Sequence, residues 1–251
     1  MPGPIRLASL PLWEPRWSQA ALAAKRSESM RAFSRGMMML PFSDEERIFP
    51  SVTKCYEYGV CTGDVIRGGS LKFLGVDLAG DKRPGNALVA IGLDPGTKRR
   101  YVIKVEVGAW TSPKVAERIA VLDAEMNFRV ICVENNGYQQ ALVDWMRHMK
   151  VPCWYKVRAT TTTGKTKHDP ELGVRSLEVE FANKAWVIPA AEFESHAAGC
   201  VCGWCVFRRS IEDYPNGSAT DTVMALWFAR QALNLYAAPV GGTRIEGLNA
   251  R

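Results

Sequence analysis

The run Leu71-Lys72-Phe73-Leu74-Gly75-Val76-Asp77-Leu78-Ala79-Gly80 constrains this chain more than any other stretch, because its apolar series ends in a carboxylate and then breaks at glycine. That pattern predicts a buried strand delivering one acid to the rim of a sheet. An unpaired buried charge costs several kcal/mol or more, so Asp77 requires a metal, a donor or water beside it. An aspartate capping the next turn would satisfy the same pattern, and two later acids in similar settings decide against that simpler reading.

From Leu71 onward the chain is regular. Strands are predicted at 71–78, 86–94 and 100–109, the last two separated by the turn sequence Asp94-Pro95-Gly96-Thr97. Ser112-Pro113 starts a helix, with Ser112 as N-cap, that runs to about Met126 and places Val115, Ile119 and Leu122 on one face. Arg129-Val130-Ile131-Cys132-Val133-Glu134 is a second apolar strand ending in an acid. A helix from Tyr138 to Met149, a strand from Val151 to Val157, a helix from Glu171 to Asn183 and a short edge strand Trp186-Val187-Ile188-Pro189 follow. The last helix spans about Ser218 to Tyr236, with Asp221 in its first turn and Val223, Met224, Leu226, Trp227, Ala229 and Leu233 as its packing surface. Three strands in a meander, then helix, strand, helix, strand, describe an α/β fold: a mixed central sheet flanked by helices.

Residues 1–70 read as an N-terminal arm or connection, with a helix from Ser18 to Arg35 stopped at Gly36; residues 71–237 form the main domain, and the tail 238–251 is expected to be disordered. No apolar run approaches the ~20 residues of a membrane span. Without a secretory pattern, and with seven cysteines, an odd number, a reducing cytoplasmic setting is the expectation. The net charge of +6 agrees with a polyanionic partner.

Parallel strands present their C-terminal ends together, which puts Asp77 and Glu134 on one rim. Asp221 alone would be explained by the preference of acids for a helix N-terminus. Taken together, two acids at strand ends and one at a helix start suit a two-metal phosphodiester site, in which hard Mg²⁺ or Mn²⁺ ions take carboxylate oxygens. Asp77 is assigned to both ions, and Glu134 and Asp221 to one each.

Three segments carry a resemblance: Gly75-Val76-Asp77-Leu78-Ala79, Val133-Glu134-Asn135-Asn136-Gly137-Tyr138, and Asp221-Thr222-Val223-Met224-Ala225-Leu226-Trp227-Phe228-Ala229. With Gly173-Val174-Arg175 and Ile188-Pro189, they make residues 70–236 resemble the nuclease domain of the large terminase subunit of tailed bacteriophages, in the RNase H-like superfamily. The resemblance implies an RNase H-like sheet and a double-stranded DNA endonuclease acting on concatemeric viral DNA during genome packaging. It also implies two Mg²⁺ or Mn²⁺ ions on Asp77, Glu134 and Asp221. The implied partners are DNA, the terminase small subunit, the portal and a terminase ATPase domain. Some members carry a histidine a turn before the last acid, near a metal; the matching position here is Ser218, which leaves Asp81 or Asp213 as candidates to contribute through water. These residues contain no ATPase motor, which leaves an excised domain, a split subunit or a free-standing nuclease. A Holliday-junction resolvase or transposase-like enzyme and a non-catalytic DNA-binding packaging module are the competing readings.

Lys82, Arg83, Lys165, Lys167 and Arg175 are the candidate DNA-phosphate contacts, each equally readable as solvated surface. Thr163-Gly164-Lys165-Thr166 is rejected as a nucleotide-binding loop, since the glycine it needs five residues before Gly164 is Ala159. Asn135, Tyr138 and Gln139 beside Glu134 would orient water or the DNA backbone, or cap a helix. His196, Cys200, Cys202 and Cys205 offer four nitrogen and sulfur ligands for a structural zinc, with buried free thiols as the alternative.

Overall fold

The computed structural model describes residues 16–28, 33, 36–37, 47–78, 85–134, 138–160, 169, 172–197, 199–215 and 220–237, with the side chains of 138–141 excepted. Two compact units divide between Arg47 and Ile48. The first holds α1 (Gln19–Glu28), capped by Ser18, whose hydroxyl accepts the Ala21 N–H at 3.2 Å. The rest of the expected helix to Arg35 and the expected tail from residue 238 lie largely outside the described residues.

In the second unit, the described residues form one seven-stranded sheet. The strands are β1 (Tyr56–Glu57), β2 (Leu71–Asp77), β3 (Asn86–Leu93), β4 (Arg100–Gly108), β5 (Val130–Glu134), β6 (Val157–Thr160) and β7 (Trp186–Pro189). Their order is β1-β7-β4-β3-β2-β5-β6. β2, β3 and β4 are antiparallel neighbours, and β5 lies parallel to β2 with β6 parallel to β5. A three-strand meander continued by parallel strands makes the mixed sheet that the sequence predicts.

Alternation along the strands creates two apolar layers. Leu74, Val76, Leu88, Ala90, Ile131 and Val133 pack with helices α3 (Ser112–Met126) and α4 (Tyr138–His148). Phe73, Ala87, Val89, Ile91, Val130 and Cys132 face the other way. They are covered by α5 (Leu177–Ala182), α6 (Gly203–Glu212) and α7 (Asp221–Ala237). α7 is apolar on nearly every side from Val223 to Ala229, the composition of a helix enclosed by protein. It crosses β2, β3 and β5.

The sequence reading departs from the structure at several places, each for a local reason. The main domain starts at Ile48 rather than at 71, because Phe49, Val52 and Cys55 are core residues and Tyr56–Glu57 pairs with β7. Helix α2 (Thr62–Arg67) then precedes β2. Thr111, not Ser112, is the N-cap of α3. Val151–Lys156 is no strand. The chain leaves α4 through Lys150 at φ 52°, and Trp154–Lys156 coils into a 3-10 turn before β6 enters the sheet level with Ile131. Asp123 fixes that entry, accepting Lys156 Nζ on both oxygens at 2.9 Å and the Phe128 N–H at 2.9 Å. The helix expected from Glu171 is α-helical only from Leu177, after a 3-10 turn at Val174–Ser176. β7 lies one strand in from the edge, with β1 outside it.

The closest approach in the fold is at Gly75. A Cβ there would stand 1.9 Å from the Ala225 carbonyl oxygen and 2.2 Å from the Ala229 nitrogen, both backbone atoms. Gly75→Ala is therefore expected to lift α7 from the sheet and cost about 3 kcal/mol, read as a lower midpoint in urea unfolding. Burial pushes the thiols of Cys55 and Cys153 up to about 11 and that of Cys132 to about 12, from an ordinary 9.0. Above the ordinary value the unfolded chain releases these protons while the folded chain keeps them, so unfolding is favoured. Stability should be unaffected by these groups below pH 9 and fall as pH rises from 9 through 11 to 12, a trend that urea midpoints across that range would reveal.

Candidate metal and nuclease site

Parallel pairing of β2 with β5 matches Val76 with Val133, so the next residues, Asp77 and Glu134, sit side by side at the strand ends. Adjacent strands are about 4.8 Å apart. By the same alternation that sends Phe73 and Cys132 to the α7 layer, both acids face α7. Asp77 is 7% exposed and Glu134 3%. Both engage in interactions within the protein.

Three contacts fix the direction of α7. The ring of Tyr236, near its C-terminal end, meets Phe73 at 5.5 Å between centroids. Ala225 and Ala229 lie over Gly75. At the N-terminal end, the Asp221 carboxylate comes within 2.9 Å of where a Cβ on Gly85 would be. Gly85 directly precedes β3, in which Ala87 pairs with Asp77. α7 thus runs antiparallel to β2, and its first turn stands over the rim that carries Asp77. From Gly75 to Asp77 the strand advances about 6.6 Å, while from Ala225 back to Asp221 the helix advances about 6 Å. The third acid therefore comes from the end of α7 that lies over that rim.

The start of β3 is held by Asn86, which is 5% exposed and donates to the Gly108 and Trp110 carbonyls at 3.3 and 2.8 Å. Beside Asp221 a pocket of about 310 Å³ is lined by Gly85, Asn86, Gly108, Val201, Val206 and Thr222 among others. The Thr222 hydroxyl is buried there and without a hydrogen-bond partner among the described residues. A negative carboxylate at the α7 N-terminus is also favoured by the helix dipole.

Lys82, Arg83, Lys165, Lys167, Asp81, Ser218 and Asn135 lie outside the described residues, and for Tyr138 and Gln139 only the backbone is described. Arg175 is exposed and close enough to Tyr214 to act on its hydroxyl. Asp213 is the C-cap of α6. Gly85, Asn86 and Thr222 were not singled out from sequence. Gly75 carried a readable signal, an isolated glycine in an apolar strand, which marks close backbone approach.

His196, Cys200, Cys202 and Cys205 do come together, with one ligand atom from each within 4.8 Å of the others. His196 Nδ1 is 3.3 Å from the sulfurs of Cys202 and Cys205 and 3.7 Å from that of Cys200. The backbone N–H of Cys202 donates to Cys200 Sγ at 3.5 Å and is the main cause lowering that thiol's pKa. Burial pushes Cys205 up to about 11.

No family model matches the chain, and no curated protein matches it in sequence. Among solved structures, it is similar to the large terminase nuclease domain of bacteriophage SPP1 with bound Mn, at 16% identity over 70% of this chain and 94% of that one, with a TM-score of 0.49. It is similar to the human cytomegalovirus terminase nuclease domain at 16% identity, covering 65% of this chain and 83% of that one, TM-score 0.44. It is also similar to T. thermophilus RuvC in complex with a Holliday junction substrate, at 12% identity, covering 66% and 95% of the two chains, TM-score 0.37. At these identities the likeness is one of fold. No helix among the described residues is long and apolar enough to cross a membrane.

α7 is pinned from outside by Glu180, which accepts Arg230 Nε at 2.9 Å and the Trp186 indole N–H at 2.8 Å and lies 3.7 Å from Arg100. Glu180→Ala leaves two half-buried cations and an indole N–H without their acceptor. A loss of about 2 kcal/mol is expected, visible as a lower urea midpoint, with Glu180→Gln retaining part of it through the indole bond.

Proposed function

We propose that this chain is a metal-dependent endonuclease of the RNase H-like class that cuts double-stranded DNA, with Asp77, Glu134 and Asp221 holding Mg²⁺ or Mn²⁺. One juxtaposition supports the reading: Asp77 and Glu134 end neighbouring parallel strands, and the Asp221 carboxylate lies against Gly85, two residues before the strand partner of Asp77. Oxygen donors alone suit hard divalent cations and exclude a preference for soft ones. Such ions, when bound, activate the attacking water and stabilise the leaving oxygen of the phosphodiester.

The residues themselves supply position and charge. Asp77, between Glu134 on β5 and Gly85 before β3, is central and would serve two cations, with Glu134 and Asp221 each serving one. The sheet holds Asp77 and Glu134 rigidly, and the contact of α7 with Gly75 fixes the height of Asp221. Gly85 leaves the Asp221 carboxylate the space it occupies. Lys82, Arg83, Lys165, Lys167 and Arg175 would contact phosphates, and affinity for DNA would then fall steeply with salt. The packaging role, on concatemeric viral DNA with a small subunit, a portal and an ATPase domain, rests on the resemblance of the three acid-bearing segments.

Plasmid cleavage by the purified chain in Mg²⁺, Mn²⁺ or EDTA tests the activity, beside Asp77→Asn checked for folding by circular dichroism. Cutting should require metal and fall about 10²-fold or more in the folded variant; equal cutting by both proteins would refute the site. A four-way junction cut in preference to linear duplex would turn the reading towards a resolvase. Gly85→Ala, which pushes against the Asp221 carboxylate and no backbone, should lower cutting about tenfold while leaving the urea midpoint close to that of the parent.

A further inference from the structure

The cluster at the start of α6 is organised unlike an ordinary group of thiols. Three sulfurs surround one imidazole nitrogen, at 3.3, 3.3 and 3.7 Å. A neutral imidazole nitrogen offers either one lone pair or one N–H, so hydrogen bonding accounts for a single such contact. Tetrahedral zinc, with Zn–S of about 2.3 Å and Zn–N of about 2.0 to 2.1 Å, sets nitrogen-to-sulfur edges of about 3.6 Å. The observed separations straddle that edge. The described residues hold the seven cysteines as free thiols, and four of these, Cys55, Cys61, Cys132 and Cys153, lie outside the cluster.

The backbone brings the ligands in from two directions. His196 ends a turn that follows β7, its N–H donating to the Phe193 carbonyl at 3.2 Å. Gly199, at φ 85°, reverses the chain so that Cys200 returns towards it. Cys202 is the N-cap of α6, and Cys205 lies in its first turn, 3% exposed. Gly203 allows that end to touch β4, since a Cβ there would stand 2.3 Å from the Val105 carbonyl oxygen.

We infer that His196, Cys200, Cys202 and Cys205 bind one Zn²⁺ as a closed structural site. Four protein ligands leave no position for water or substrate, so the ion acts as a clip and not as a reagent. It ties the segment after β7 to the first turn of α6. That segment includes Val201, which with Val206 of α6 lines the pocket beside Asp221. The clip therefore steadies one wall of the acid-bearing pocket while using chemistry foreign to it. It does not depend on the nuclease reading.

The full chain, purified in reductant without chelator, given one equivalent of ZnCl₂ and desalted, should retain one zinc per molecule by mass spectrometry of the metal. Co²⁺ in place of zinc should give intense thiolate-to-metal charge-transfer absorption, a readout that needs no variant. In a Cys200→Ser, Cys202→Ser variant, bound zinc should fall about tenfold or more; in Asp77→Asn it should be unchanged. Alkylation of Cys200 and Cys202 should be blocked by zinc and restored by chelation. Three results would each overturn the inference: no charge-transfer band with Co²⁺, an intact mass short of two hydrogens with no zinc bound, or zinc lost in Asp77→Asn and kept in the cysteine variant. If plasmid cleavage fails while zinc binding behaves as expected, the nuclease reading falls and the zinc site stands.

Discussion

The packing of α7 against β2 through Gly75 is the contact on which the rest of the domain depends. A helix this apolar has to be enclosed, and enclosure at backbone-to-backbone distance is available only where one strand residue lacks a side chain. That single absence lets the helix sink into the layer, brings Phe73 to Tyr236, and sets the Asp221 end of the helix over the rim that carries Asp77 and Glu134. Glu180, Arg100, Arg230 and Trp186 brace the helix from its outer side. Stability and the arrangement of acids share one cause.

The two proposed metal sites use chemistries that do not compete. At the rim, three carboxylates offer hard oxygen donors; some distance along the chain, three thiols and an imidazole offer soft ones. Ligand softness separates the ions such sets prefer, so one chain can carry both sites in the same cell fluid without exchange of metals between them. The buried thiol of Cys132, two residues before Glu134 on the same face, does not blur this division. Burial holds its proton in place, and the Thr160 hydroxyl lies against its sulfur at 3.0 Å.

Most of the sheet was legible because its strands are apolar runs of the right length broken by glycine, proline and asparagine. β2 to β5, α3 and α7 fall within a few residues of where the sequence places them. The misses share a physical origin. Val151–Val157 has a strand's composition, yet pairing with β5 begins only at Val157, so the earlier residues coil. β1 is two residues long, and Phe49, Val52 and Cys55, although three residues apart, span too short a stretch to mark an element, so their burial follows from tertiary packing. For the candidate site, the two strand-end acids were visible as carboxylates in apolar runs. Asp221 was grouped with them by its place at a helix start and by the resemblance, because nothing local encodes which end of a helix meets which end of a strand. Gly85 and Asn86, which shape that meeting, sit in a stretch whose glycine and proline look like any other turn.

The order of the elements has a bearing on how the domain comes into being. Asp77 and Glu134 end the second and fifth strands in chain order, but the layer they face is closed by α7, the last described element. While the chain is being made, two acids look out from an uncovered sheet, and the third has not yet been synthesised. A chain stopped short of residue 221 lacks both the covering helix and the third acid. The three carboxylates therefore meet only in the final packing step, so a partly made or partly folded chain holds an incomplete set of ligands. If the proposed nuclease reading holds, arriving at competence last is itself a safeguard.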